Sequence, residues 1–111
     1  MPIRILSGTS HPEFSKEVCR HLGVPLTKVL HMKFKNDNSF CRIEESIRED
    51  DIYIIQTSCP PVNDMLMELL LMVDAAKYAS AQRITVVLPY YPYARSDKKD
   101  QPRVPVSARL V

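Results

Sequence analysis

Two short runs of apolar residues, separated by a helix-length segment, most constrain the fold of this chain. Ile52–Gln56 (IYIIQ) and Ile84–Leu88 (ITVVL) are rich in β-branched residues, and ITVVL lacks alternation between apolar and polar positions. That pattern is typical of parallel strands covered on both faces. Asp64–Ala79, between the two runs, is predicted to be a helix with Asn63 as its N-cap. This order predicts a mainly parallel sheet.

The N-terminal third repeats the change from strand to helix. Ile3–Leu6 is predicted to be a strand, and Ser10-His11-Pro12-Glu13 is predicted to be a capping box that starts a helix ending at Gly23. Three apolar residues recur at four-residue spacing and are expected to form the buried face of this helix: Phe14, Val18 and Leu22.

A β-hairpin is predicted between these two halves. Val29–Phe34 and Phe40–Ile43 flank Lys35–Ser39 (KNDNS), a polar segment that tolerates left-handed backbone. The complete prediction is an α/β fold with a mainly parallel sheet, flanking helices and a projecting hairpin. Val104–Val111 begins a helical pattern without a stop signal, so we expect the domain to be truncated at its C-terminal end.

Composition excludes several classes of function. The 111 residues carry a net charge of +2, too small to predict nucleic acid or membrane partners from the overall field. Two glycines cannot build a glycine-rich phosphate loop, and the three cysteines and three histidines show no metal-binding spacing. We therefore expect reduced thiols, no metal ligands and no chemistry from the histidines. No secretory signal or membrane-spanning stretch is recognised, so a cytoplasmic protein is expected.

The segment after the second apolar run, Tyr90–Pro105 (YYPYARSDKKDQPRVP), combines tyrosines with clustered charges. Arg95, Lys98, Lys99 and Arg103 can neutralise a polyphosphate, and Tyr90, Tyr91 and Tyr93 can border a base. The alternative is a solvated loop in which Asp97 and Asp100 balance the lysines. Ligands of parallel sheets bind beyond the carboxyl ends of the strands, which favours the ligand site.

Two other groups of residues leave alternatives open. Ser46 and Arg48 can hold a phosphate, although such a pair is also typical of an exposed turn. Met65, Met67 and Met72 can form an adaptable binding face, but core or subunit packing is the interpretation that we keep for methionines at helical spacing.

The segments HPEFSKEVCRHLG, EESIREDDIYIIQ and YARSDKKDQPRVPVSARLV resemble the N-terminal part of ribose-phosphate pyrophosphokinase, also called phosphoribosyl pyrophosphate synthetase. The resemblance covers essentially the whole chain. It implies a phosphoribosyltransferase-like domain (residues 1–111) of an enzyme that transfers diphosphate from MgATP to ribose 5-phosphate. It also implies Mg²⁺ as cofactor and a homo-oligomer of dimers within a hexamer, in which one subunit's hairpin completes its neighbour's ATP site.

The resemblance assigns roles to two sets of residues. The implied ATP-binding residues are Phe34, Asn36, Asp37, Asn38, Arg95, Ser96, Asp97, Lys98, Lys99 and Asp100. The implied regulatory phosphate or ADP site contains Ser46, Arg48 and Arg103. Ser96 and Asn38 depart from the glutamine and glutamate usual in the family, which affects nucleotide affinity or base selectivity.

The resemblance also implies that the magnesium-binding histidine, the flexible catalytic loop and the ribose-phosphate loop lie beyond Val111. The chain is therefore expected to hold part of an ATP site, to contain no complete set of catalytic residues and to be inactive alone. The alternative function is a non-catalytic relative that regulates synthetase oligomers. A nucleic-acid-binding module is disfavoured because no extended basic face or aromatic platform is recognised.

Overall fold

A computed structural model describes residues 2–99 and 101–111. The elements run in the order β1 (Ile3–Ser7), α1 (Pro12–Leu22), β2 (Val29–Lys33), β3 (Ser39–Ile43), β4 (Asp51–Ile55), α2 (Val62–Tyr78), β5 (Arg83–Val87) and α3 (Ser107–Leu110). The predicted α/β fold, with a parallel sheet, helices and a hairpin, is confirmed.

The main sheet has the strand order β1-β4-β5, and both pairings are parallel. Ile54 at the centre of β4 pairs with Leu6 of β1 on one side and with Val86 of β5 on the other. β2 and β3 form a separate antiparallel hairpin in which His31 lies opposite Cys41. The carboxyl ends of β1, β4 and β5 therefore meet at one edge of the sheet.

Each face of the sheet is covered by different elements. One face presents Leu6, Ile52 and Ile54 to α2 and to the hairpin, and this side forms the larger core. The opposite face presents Ile5 and Ile55 to Cys19 of α1. β4 is buried on both faces, whereas β5, for which the absence of alternation predicted cover on both faces, is an edge strand of the main sheet and is only partly buried.

Helix α1 begins where proline predicted it, but two details of the prediction are wrong. His11, not Ser10, is the N-cap, and its Nδ1 accepts a hydrogen bond from the Phe14 amide at 3.1 Å. The helix buries Ser15 and Cys19, whereas Phe14 and Leu22 are exposed. Ser15 fits against the sheet because its hydroxyl accepts from Ser7 Oγ at 2.7 Å, so this close-packed position needs no apolar side chain.

Helix α2 also begins differently from the prediction. Pro61 occupies the N-cap position without a side-chain hydrogen bond, and Asn63 lies inside the first turn. Met72 is fully buried in the larger core, as the packing interpretation of the methionines requires, whereas Met67 and Leu70 are exposed. Across the described residues, no helix has the length and apolar character needed to cross a bilayer.

Candidate functional site

The loop between β5 and α3 (residues 88–106, the β5–α3 loop) leaves the carboxyl edge of the sheet and is anchored at its start. The Tyr90 amide donates to Thr57 Oγ1 at 3.1 Å, and the Tyr90 carbonyl accepts from the Ser58 amide at 3.2 Å. Both partners follow β4. Hydrogen bonds to an adjacent strand end therefore hold the first residues of this loop.

Two further tyrosines anchor the middle of the β5–α3 loop. Tyr91 Oη donates to the Ala108 carbonyl of α3 at 3.0 Å, and Tyr93 Oη is hydrogen-bonded to Asn63 Oδ1 of α2. Ala108 in turn donates its amide to the Ser96 carbonyl at 3.0 Å. These bonds use the tyrosine hydroxyls for fixing the loop while leaving part of each ring exposed.

The charged side chains of this loop are solvent-exposed. The sequence-predicted residues among them are Arg95, Asp97, Lys98 and Lys99, and the uncharged Ser96 is exposed as well. Asp100, also predicted for the site, lies outside the described residues. Among the described residues, no salt bridge joins Asp97 to a neighbouring cation. The alternative, a solvated loop whose carboxylates balance its lysines, therefore gains no support from Asp97.

The hairpin tip (residues 34–38) is the second predicted part of the site. Its turn is closed by a 2.8 Å hydrogen bond from the Phe34 amide to the Asn38 carbonyl, and Asp37 has a left-handed φ of 69°. Asn36 Oδ1 accepts from the Asn38 amide at 3.2 Å. The Phe34 ring packs against Phe40 at 5.4 Å between centroids. The tip is thus an ordered, exposed turn.

The hairpin tip and the β5–α3 loop approach α2 separately. Lys33 Nζ pairs with Asp64 at 2.9 Å, while Tyr93 bonds to the neighbouring Asn63. No hydrogen bond or ion pair among the described residues joins the tip directly to residues 95–99. Within the part of the chain that the structure describes, the tip and residues 95–99 are therefore two separately exposed surfaces.

The predicted regulatory residues are also far apart along the fold. Ser46 and Arg48 precede the amino end of β4, whereas Arg103 belongs to the loop that follows the carboxyl end of β5. All three are exposed. The Ser46 segment is fixed because Arg4 bonds to Glu45 Oε1 and to Asp50 Oδ2, each at 2.9 Å.

A partly buried polar cluster, which sequence reasoning missed, lies where α2 meets the hairpin. Glu68 of α2 accepts hydrogen bonds from the Thr9 amide at 3.0 Å, Thr9 Oγ1 at 2.8 Å and Gln56 Nε2 at 3.3 Å. His31 Nδ1 lies 2.9 Å from Glu68 Oε1, and His31 Nε2 lies 3.0 Å from the Ser7 carbonyl. No sequence signal linked these residues, because they come from four separate segments of the chain.

The two charged groups of this cluster shift each other's protonation. Burial alone would raise the pKa of Glu68, but hydrogen bonds from His31, Thr9 and Gln56 together hold it below its ordinary value. Burial alone would lower the pKa of His31, but the bonds to Glu68 and to the Ser7 carbonyl raise it above its ordinary value. The pair is therefore charged between these two pKa values.

Gln56 connects this cluster to the loop after β1. Its Oε1 accepts from the Ser10 hydroxyl at 2.5 Å and from the Ser10 amide at 3.2 Å, while its Nε2 donates to the Met65 carbonyl at 3.0 Å. The Gln56 amide occupies the space where a Cβ on Gly8 would lie, at 2.0 Å from Oε1. The polar bonds of Gln56 therefore require glycine at position 8.

Comparison with known proteins identifies the family. The model of the N-terminal domain of ribose phosphate pyrophosphokinase matches residues 3–111, nearly the entire chain. The chain belongs to the ribose phosphate pyrophosphokinase family. Ribose-phosphate pyrophosphokinases from Deinococcus radiodurans and Helicobacter pylori are 53% and 55% identical to it over 110 and 108 residues. These alignments cover 99% and 97% of this chain and 34% of each relative.

A solved structure extends the match to three dimensions. The phosphoribosylpyrophosphate synthetase from Mycobacterium smegmatis superposes with a TM-score of 0.96 at 44% identity, covering 99% of this chain and 37% of that one. The pyrophosphokinase domain described here thus spans about a third of the length of its matched relatives.

Mg²⁺, the metal that the family resemblance implies, prefers oxygen ligands such as carboxylates. Among the described residues, no three His, Cys, Asp or Glu side chains lie close enough to hold a metal ion. Mg²⁺ nevertheless takes most of its ligands from water and substrate phosphates and needs only one or two carboxylates. The exposed Asp97, beside Lys98 and Lys99, fits a metal that arrives with a nucleotide.

Proposed function

We propose that this chain is the N-terminal domain of a ribose-phosphate diphosphokinase. The enzyme would take MgATP and ribose 5-phosphate and produce phosphoribosyl pyrophosphate and AMP, for nucleotide biosynthesis in the cytoplasm. The observation that carries the proposal is the exposed cationic β5–α3 loop, anchored at the carboxyl edge of the sheet. Family membership supports the reaction class.

In the proposed site Arg95, Lys98 and Lys99 bind the nucleotide phosphates. Arginine supplies a planar pair of donors, and the lysines act as point charges. Asp97 is the carboxylate that would hold Mg²⁺ or its water, and the metal would neutralise phosphate charge when bound. The exposed hairpin tip of a neighbouring subunit would close the pocket, with Phe34 and Asn36 against the nucleotide. This arrangement requires the proposed homo-oligomer of dimers within a hexamer.

The chemistry needs position and charge more than a covalent group from the protein. The anomeric hydroxyl of ribose 5-phosphate would attack the β-phosphorus, the bond from that phosphorus to the oxygen retained by AMP would break, and the hydroxyl proton would leave to solvent or a base. Transfers of this kind depend on alignment and on neutralising the charge that develops on the phosphate oxygens. A cationic loop tied to three elements of a rigid fold suits this task.

The second candidate is a non-catalytic relative that regulates synthetase oligomers. It is favoured by Ser96, whose amide and carbonyl bond to Tyr93 and Ala108 and therefore hold the loop independently of its side chain. A regulator can keep the loop's fold after losing a nucleotide contact. Catalysis by the full-length protein separates this candidate from the enzyme.

We predict that the full-length protein containing this sequence forms phosphoribosyl pyrophosphate and that the 111-residue chain alone forms none. Arg95→Ala should raise the Kd for MgATP about 10- to 100-fold, because a hydrogen bond to a charged group contributes about 1.5–3 kcal/mol. Arg20→Ala on α1 is the matched control and should leave the Kd unchanged. Release of AMP dependent on ribose 5-phosphate, with calorimetric MgATP titrations, measures both effects. An inactive full-length protein that still alters the activity of another synthetase would support the regulatory candidate instead.

A regulatory role is proposed for Ser46, Arg48 and Arg103. Since Arg48 and Arg103 are separated along the fold, a shared anion site would use residues from different subunits. Arg48→Ala should reduce the response of activity to phosphate or ADP at least several-fold while the KM for ATP stays within about twofold. Arg42→Ala, an exposed arginine on β3, is the control. A parallel loss of ATP affinity and phosphate response would contradict two separate sites.

A further inference from the structure

His31 is positioned to join the hairpin to two other elements, α2 and β1. It is in the middle of β2, and its ring nitrogens face Glu68 Oε1 on α2 at 2.9 Å and the carbonyl of Ser7 at the end of β1 at 3.0 Å. Both facing atoms are acceptors. A neutral imidazole has one N–H and no charge, whereas an imidazolium can donate to the Ser7 carbonyl and at the same time form an ion pair with Glu68.

The surroundings of His31 favour the charged ring. The hydrogen-bonding groups of Thr9 and Gln56 that contact Glu68 are donors, so they keep that carboxylate ionised beside the ring. Cys41 is the cross-strand neighbour of His31, and burial together with the Glu68 charge raises the pKa of its thiol, which keeps it neutral. The nearby Lys33 is paired with Asp64 at 2.9 Å. Glu68 is therefore the anion that faces His31 from α2.

The cluster also borders a cavity next to the hairpin. A space of about 180 Å³ is lined by His31, Lys33, Phe40, Asp64 and Glu68, among others. Packing is incomplete on this side of the ring, although Val29, Cys41 and Ile43 of the hairpin pack against the core beside α2. The polar bridge therefore adds to these apolar contacts in restraining the hairpin, whose tip begins three residues after His31.

We propose that His31, as an imidazolium, positions the hairpin by bridging Glu68 and the Ser7 carbonyl, and that loss of its proton loosens the hairpin. The consequence for nucleotide binding rests on the proposed function, because the hairpin tip would then contact ATP in a neighbouring subunit. His31 is a positioning residue and touches no substrate. Its proton controls where Phe34 and Asn36 are held.

The sign of the pH dependence follows from the direction of each pKa. The raised pKa of His31 means that its contribution is present below the ordinary histidine range and disappears as pH rises through the folded-state pKa. The lowered pKa of Glu68 means that its contribution disappears only as pH falls through that lower value. Both His31 and Glu68 are therefore charged at pH values between the lowered pKa of Glu68 and the raised pKa of His31.

Exchange of the imidazole C2 hydrogen, followed by mass spectrometry across pH, tests the first part in the full-length protein. The midpoint for His31 in the native protein should lie above its midpoint in the urea-unfolded protein. Glu68→Gln keeps the shape of the side chain and removes its charge, so it should lower the native midpoint, whereas Glu17→Gln on α1 should leave it unchanged. A native midpoint at or below the unfolded one would overturn the proposal.

Amide exchange tests the second part without reference to activity. Protection factors in residues 29–43 should fall as pH rises through the His31 midpoint, and His31→Gln should remove this step. Unchanged protection across that interval would overturn the positioning role, whatever the activity of the protein. If the proposed function also holds, the KM for ATP should rise over the same interval in the wild type and stay flat in His31→Gln. A stepped amide profile with a flat KM would retain the positioning role and contradict the nucleotide assignment of the tip.

Discussion

Replacing Glu68 by alanine should lower the free energy of unfolding by about 3–5 kcal/mol near neutral pH. The substitution removes the ion-pair partner of the half-buried His31 and one of the two acceptors of the buried Gln56 amide. Breaking a buried ion pair from one side costs this much because the remaining charge is not rehydrated. Urea unfolding of the wild type and the variant, at matched pH, measures the difference.

Asp74→Ala provides the control on the same helix. Asp74 is exposed on α2, so its removal should change the stability by no more than about 0.5 kcal/mol. The difference between wild type and Glu68→Ala should shrink as pH falls through the lowered pKa of Glu68, because the protonated carboxyl no longer pairs with His31. A small destabilisation at every pH would show that water replaces the lost acceptor.

The second large effect is expected for Gly8→Ala, which should cost about 3 kcal/mol of stability. The new Cβ would lie 2.0 Å from Gln56 Oε1 and 2.6 Å from Nε2, so the amide must move. Movement breaks its bonds to Ser10, Met65 and Glu68, and each buried group left without a partner costs about 1–3 kcal/mol. The decrease in the melting temperature and in the urea concentration at the unfolding midpoint measures this loss of stability.

Gly23→Ala is the comparison variant, because it tests the cost of left-handed backbone without a steric clash. Gly23 has a φ of 72°, and a Cβ there would meet no atom within 4 Å. Alanine at this position should cost only about 1–2 kcal/mol, the penalty for left-handed backbone. Combining Gly8→Ala with Gln56→Ala should cost less than the sum of the single changes, since the double variant removes the clash. Strict additivity would mean that Gln56 is not what excludes alanine.

The sequence predicted the strands of the main sheet to within one residue, because β4 and β5 are short apolar runs rich in β-branched residues. The buried face of α1 could not be predicted in this way. Phe14, Val18 and Leu22 have the spacing of a core stripe, yet the sheet admits the small side chains of Ser15 and Cys19 at closest approach. Spacing shows which residues share a helix face, but the distance to the neighbouring element decides which face is buried.

For the candidate site, the sequence located the charged loop but not what holds it. The sequence predicts that Tyr91 and Tyr93 border a base, but it does not reveal that their hydroxyls tie the loop to α3 and α2. Contact of the Tyr91 and Tyr93 rings with a nucleotide base remains a prediction. The Glu68–His31 pair escaped detection because its members are separated by 37 residues and neither has a distinctive local pattern. Such pairs become visible only when the strand pairing is known.

The strand order also bears on how the chain acquires its structure. β1 is made first but pairs with β4, whose residue 51 lies opposite residue 3, so 47 intervening residues must be enclosed before the first parallel ladder forms. The β2–β3 hairpin needs only a short local closure and can form earlier. Long-range closure slows folding, because chain entropy is lost before the contacts form. During synthesis, α1 and the hairpin would therefore leave the ribosome before the sheet that covers them exists, and β4 is the segment whose arrival allows them to dock.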